Sequence, residues 1–201
     1  ATVYVVAGGA PIPVPSWTSV GGGKKTVTIP SGSIKKHPFN EYPASGTYVR
    51  EYGKLTVYII AGGAPIPLPS WASVGGGKKF TSIPVGSINF SMFKDYPVDQ
   101  TYVREYGSQT VYVVAGGALM PISSWASVGG SKKFTSIPSG STKFAIFNKY
   151  PIDGTYVRGY ATHNLYLVDK GAAHLTNWSQ AGVTFTDVDQ KAIDTMLMFN
   201  K

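Results

Sequence analysis

The run Val3-Tyr4-Val5-Val6 returns as Val57-Tyr58-Ile59-Ile60, Val111-Tyr112-Val113-Val114 and Leu165-Tyr166-Leu167-Val168, 54 residues on each time. Aligned from these anchors, residues 57–107 and 111–161 agree at 33 of 51 positions. A fixed period of this length marks a propeller, a solenoid or a similar array, in which one unit buries its apolar face only by stacking on the next. The 201 residues therefore read as a single repeat domain with units of about 1–54, 55–108, 109–162 and 163–201, the fourth degenerate and truncated.

Within a unit, residue types assign the elements. Thr47-Tyr48-Val49-Arg50-Glu51-Tyr52 alternates and is rich in β formers, which predicts a strand. A turn at Gly53-Lys54 leads to a second strand, Thr56-Val57-Tyr58-Ile59-Ile60. The paired glycines of Ala61-Gly62-Gly63-Ala64 supply the positive φ angles of a tight hairpin. In Pro65-Ile66-Pro67-Leu68-Pro69 every second residue lacks an N–H, so this segment belongs at a sheet edge. Ser70-Trp71, a loop at Gly75-Gly76-Gly77 and a fourth strand from Lys78 to Ile83 follow, and the connector from Gly86 to Pro97 has room for a helical turn. Four short strands in 54 residues is the size of a propeller blade. The expected fold is all-β: a four-bladed, propeller-like closed array of short antiparallel strands, or alternatively an open array of meanders. A short helix holding Lys191, Ala192, Ile193, Met196 and Leu197, capped by Asp187, ends the chain.

The fourth copy keeps Leu165-Tyr166-Leu167-Val168, Trp178 and the strand Val183-Thr184-Phe185-Thr186. It replaces the Gly-Gly loop by Asp169-Lys170-Gly171-Ala172, the proline segment by Ala173-His174-Leu175-Thr176, and the lysine pair by uncharged residues. What a decayed copy retains is what the fold needs. Ligand chemistry is therefore expected at the loops that this copy has lost.

Charged residues make up 14% of the chain against roughly 25% in an average soluble protein, while 13% are aromatic. That balance suits strands and turns and excludes disorder. The net charge of +8 favours acidic partners. There is no cysteine, hence no disulfide and no thiolate metal site, and no apolar run nears the roughly 20 residues of a membrane-spanning helix.

The series Gly46-Thr47-Tyr48-Val49-Arg50, Val57-Tyr58, Ala61-Gly62-Gly63-Ala64 and Ser70-Trp71 resembles a repeat of exported actinobacterial proteins, and Asp153-Gly154-Thr155-Tyr156-Val157-Arg158 matches its opening best. The resemblance covers nearly the whole chain. It implies a bacterial protein, secreted or associated with the cell envelope, and it carries over no catalytic residues. Hemopexin-type blades are similar in size alone.

Three repeated sets of residues are candidate ligand sites. Trp17, Trp71 and Trp125, with Trp178, offer platforms for sugar rings, yet retention in the decayed copy favours packing. The pairs Lys24-Lys25, Lys78-Lys79 and Lys132-Lys133 would present a multivalent basic surface, or else merely a solvated strand start. Arg50, Arg104 and Arg158 lie two residues after Tyr48, Tyr102 and Tyr156, so each pair shares one strand face: a ligand surface, or an Arg packed between units and paired with a carboxylate such as Glu51. His37, His163 and His174 are out of register and lack zinc spacing. No nucleophile elbow or repeated acid–His pair appears, so no catalytic residue, metal or cofactor is expected. If chemistry exists, His174, Asp169 and Asp187 of the decayed unit are the residues to watch. The basic residues are too dispersed for a nucleic-acid footprint. The expected function is a multivalent, lectin-like binding protein for cell-wall or extracellular polysaccharide or another anionic polymer; the alternative is a structural or protein-interaction scaffold.

Overall fold

The computed structural model describes residues 2–35, 38–176 and 183–198. It divides into two units, Ala1–Asp95 and Tyr96–Lys201.

In the first unit, β1 (Val3–Ala7) turns through Gly8 and Gly9 into β2 (Ala10–Val14). Both glycines have positive φ, 52° and 81°, the type I′ geometry that matches the twist of paired strands. Pro11 lies opposite Val6 and Pro13 opposite Tyr4. With no N–H, the prolines take the non-hydrogen-bonded positions of the ladder, so the backbone polar groups of Tyr4 and Val6 point away from β2. The next copy builds β3 (Tyr48–Glu51), β4 (Val57–Ala61), β5 (Ala64–Pro67) and β6 (Thr81–Ile83) into one sheet of order β5-β4-β3-β6. The first three run antiparallel, and β6 pairs in parallel with β3. The chain reaches that far edge through a 3₁₀ turn, Trp71–Val74, ended by Gly75 at φ 78°.

Side chains fasten the loops. Ser45 Oγ accepts the Gly62 amide at 2.8 Å, and Glu51 Oε1 accepts the Ile88 amide at 3.0 Å in the connector. Ala7 and Ile12 of the hairpin pack on Val49, Ile60, Ile83 and Phe93, so the hairpin stacks face to face on the sheet. The Gly8-Gly9 turn is part of that joint. Gly8 O accepts the Ala44 amide and Gly9 O the Asn40 amide, and a Cβ on Gly8 would collide with Thr47 Oγ1.

The second unit repeats this pattern twice. β7 (Tyr102–Glu105), β8 (Val111–Ala115), β9 (Ala118–Ile122) and β10 (Thr135–Ile137) have the order β10-β7-β8-β9. β11 (Tyr156–Gly159), β12 (Leu165–Asp169), β13 (Ala172–Thr176) and β14 (Thr186–Val188) have the order β13-β12-β11-β14. Asp99 and Asp153 take the place of Ser45, accepting the Gly116 and Lys170 amides at 2.7 Å, and Glu105 takes that of Glu51, accepting the Thr142 amide at 2.7 Å. Val113, Ala115 and Met120 of one sheet pack against Val157, Tyr166, Val168 and Val188 of the other, with Ile193 and Met196 of the helix α1 (Gln190–Met198).

The expected β-rich repeat, edge proline segment, hairpins and short terminal helix are present, and among the described residues no sheet closes on itself. The Thr-Tyr-Val-Arg strand pairs with the Val-Tyr strand across the expected turn at Gly53-Lys54, so sheet boundaries fall some ten residues before the period's anchors. Among the described residues the fourth copy therefore has four strands and the first a two-stranded hairpin. Two features differ from the sequence reading. The fourth strand of a sheet is short and parallel, leaving Lys78 and Lys79 outside it. Finally, Asp189 rather than Asp187 precedes the helix and accepts the Lys191 amide at 3.0 Å.

Candidate ligand-binding surface

Strand alternation places Tyr48 and Arg50 on one face, and the 3₁₀ turn lays Trp71 across it. Trp71 sits between Tyr48, with centroids 6.1 Å apart, and Phe80, at 6.4 Å and nearly parallel, while the Arg50 guanidinium carbon stands 4.3 Å above the Phe80 ring. The next copy reproduces this as Tyr102, Trp125 and Phe134 at 6.0 and 6.4 Å, with Arg104 4.3 Å above Phe134. Arg158 stands 4.5 Å above Phe185. Trp71 and Trp125 are thus half-buried members of cation–π stacks. Trp17, whose copy has Thr26 where the others carry phenylalanine, is 40% exposed. Trp178 and His37 lie outside the described residues.

The three arginines differ in what faces them. The parallel register sets Ser82 beside Arg50 and Ser136 beside Arg104, but Asp187 beside Arg158. Arg158 makes a fork with Asp187, its Nη2 donating to Oδ2 at 2.7 Å, which raises the guanidinium pKa further. Arg50 Nε is buried without a hydrogen-bond partner. Glu51, the carboxylate expected near Arg50, binds the connector instead.

Lys24, Lys25, Lys78, Lys79, Lys132 and Lys133 are all exposed. The glycines before them serve the fold: the amides of Gly21 and Gly22 donate to Thr18 O and Trp17 O, closing the 3₁₀ turn.

In the second unit Lys132 lines a cleft together with the tyrosine of the stack. This cleft of about 310 Å³, at the small end of ligand-site volumes, is lined by Gln100, Tyr102, Val128, Lys132 and Asp187. Burial pushes the Tyr102 hydroxyl pKa up and the charge on Asp187 adds to this, so the phenol stays a neutral donor. Gln100 holds a φ of 64°, a left-handed conformation that its counterparts Gly46 and Gly154 adopt without strain. Its Nε2 donates to Phe185 O at 3.0 Å, fixing the amide at the cleft wall. Backbone strain held by its surroundings is a mark of functional positions. The sequence reading passed over Gln100, although its signal was visible as a Gln where two other copies carry Gly. The cleft combines an amide, a phenol, an ammonium and a carboxylate with one apolar wall, a set that exchanges hydrogen bonds with hydroxyl groups.

His174 and Asp187 lie on opposite edge strands of one sheet, three strand spacings or about 14 Å apart, too far for proton relay. Among the described residues no helix is long and apolar enough to cross a membrane, and no three His, Asp or Glu side chains converge as metal ligands. Comparison with protein-family models, with curated proteins and with solved structures finds no match for this chain.

Proposed function

We propose that this chain is a non-enzymatic, lectin-like binding module for a polysaccharide bearing acidic groups, exported by a bacterium and acting at its envelope or outside it. Its scaffold in this reading is the propeller-like array that the period suggests. The observation that carries the proposal is the cleft in which Tyr102, Lys132, Gln100 and Asp187 meet beside the Tyr102–Trp125–Phe134 stack. Amide, carboxylate and phenol suit sugar hydroxyls, and Lys132 suits a uronate or phosphate. Lysine pairs in the other copies add weak contacts that gain by avidity along a polymer.

A panel of wall, capsular and plant polysaccharides tests the reading. Acidic polymers are expected to bind, with affinity falling at least about tenfold in Lys132→Gln, or about 1.4 kcal/mol. Failure to bind any of them, or binding indifferent to Lys132→Gln and to Gln100→Ala, overturns it.

A further inference from the structure

The cross-strand neighbour of each arginine decides what its guanidinium can bind. The parallel strand sets Asp187 beside Arg158, and the aspartate completes a fork: Nε donates to Oδ1, and Nη2 to Oδ2 at 2.7 Å. At the same register Arg50 lies beside Ser82 and Arg104 beside Ser136. Serine carries its Oγ where aspartate has the carboxyl carbon, so the two oxygens that reach Arg158 have no counterpart at either place. Among the described residues neither Arg50 nor Arg104 makes a salt bridge or a side-chain hydrogen bond. Arg50 Nε is buried with its N–H unmet, a standing cost to the fold.

An aromatic ring offsets part of that cost. Arg50 and Arg104 stand 4.3 Å above Phe80 and Phe134, which attract the cation but are no acceptors for its planar fork of donors. Ser82 and Ser136 are exposed, so solvent reaches the parallel strand beside each arginine. A planar carboxylate is the group that such a fork matches at two points. The ring pairs Phe80–Trp71 and Phe134–Trp125 add a flat apolar border, the kind of surface against which a sugar ring lies. The fourth copy gives up both kinds of cation together: Val183 and Thr184 replace its lysine pair, and Asp187 neutralises its arginine.

We propose that Arg50, in the first unit, and Arg104, in the second, each bind the carboxylate of a uronate sugar, where Asp187 serves Arg158 from within the chain. The inference rests on the polysaccharide reading above for the class of ligand, and adds an arginine site in each unit to the cleft of Lys132. Arg158 is no third site, since Asp187 already fills its fork.

Arginine Nε–H signals in heteronuclear NMR spectra read the three guanidiniums separately while galacturonate oligomers are titrated into the full chain. Saturable shifts are expected at Arg50 and Arg104 and none at Arg158, and neutral galactose oligomers should move none of the three. Ser82→Asp supplies a carboxylate from within, as beside Arg158, and should weaken the Arg50 response at least about tenfold while sparing that of Arg104. Val27→Asp adds the same charge at a residue 88% exposed in another copy, and should leave the Arg50 response intact. The proposal is overturned by equal shifts at all three arginines, by an Arg50 response that survives Ser82→Asp, or by a response to oligoglutamate as strong as that to the sugar. Oligomers that bind with Arg50 and Arg104 silent overturn it while the Lys132 cleft stands. Absence of binding also overturns it, and the polysaccharide panel then decides on the cleft separately.

Discussion

Asp189 is 4% exposed, and burial alone would raise its carboxyl pKa. Hydrogen bonds from Ser123, Ser127 and the Lys191 amide outweigh that and hold it below the ordinary value. A carboxylate with a depressed folded pKa contributes stability above its unfolded pKa and loses it as pH falls through the folded one. Thermal unfolding should therefore drop below about pH 4, and less steeply in Asp189→Asn, which costs about 1–3 kcal/mol at neutral pH. Asp99 has the opposite sign: desolvation raises its pKa despite the Gly116 amide, so its contribution lies at acid pH and is lost as pH rises. Asp99→Asn keeps an acceptor for that amide and should stay within about 0.5 kcal/mol of the parent at pH 7 in urea titrations. Two aspartates two residues apart precede the helix, and the sequence alone favoured Asp187 as its cap. The alternation of β14 decides otherwise, because it turns Asp187 towards Arg158 and leaves Asp189 at the helix start. Gln100→Gly relieves about 1 kcal/mol of backbone strain and forfeits one hydrogen bond of similar worth. Its melting temperature should hardly move while polysaccharide affinity falls, which separates a binding role from a structural one.

Among the elements, the Trp-bearing 3₁₀ turns separate packing from exposure. Trp71→Ala empties the space between Tyr48 and Phe80 and should cost about 2–4 kcal/mol, whereas Trp17→Ala, at a site without those rings, should cost under about 1 kcal/mol. Urea midpoints of the two variants test this within one unit. Strands and hairpins were legible because Val, Ile and Tyr alternate between Gly-Gly turns, and the edge position of Pro65 and Pro67 followed from their missing N–H groups. The pairing of Thr-Tyr-Val-Arg with the Val-Tyr strand after it was legible in the turn at Gly53-Lys54, and its physical reason is loop length. The short turn at Gly53 closes a hairpin far more cheaply than the long connector before Gly46 could. The parallel β6 was legible as a strand but not as a neighbour of β3, since a three-residue pairing leaves no periodic trace.

Over the whole chain, repeated copies drift apart where their surroundings differ. Lys170 keeps the turn shape of the glycine it replaces, at φ 51°, and Asp187 neutralises an arginine that serine faces elsewhere. Changing Lys24, Lys25, Lys78, Lys79, Lys132 and Lys133 to Gln should leave unfolding within about 1 kcal/mol, since none is buried, while flattening the salt dependence of polymer binding. The central claim is that each four-stranded sheet starts at its Thr-Tyr-Val-Arg strand, whereas among the described residues β1 pairs with β2 alone. Native-state hydrogen exchange at single amides tests it most directly. The amides of Ile60, Val114 and Val168 should exchange about two orders of magnitude or more slower than that of Val6. Equal protection at all four positions would contradict it.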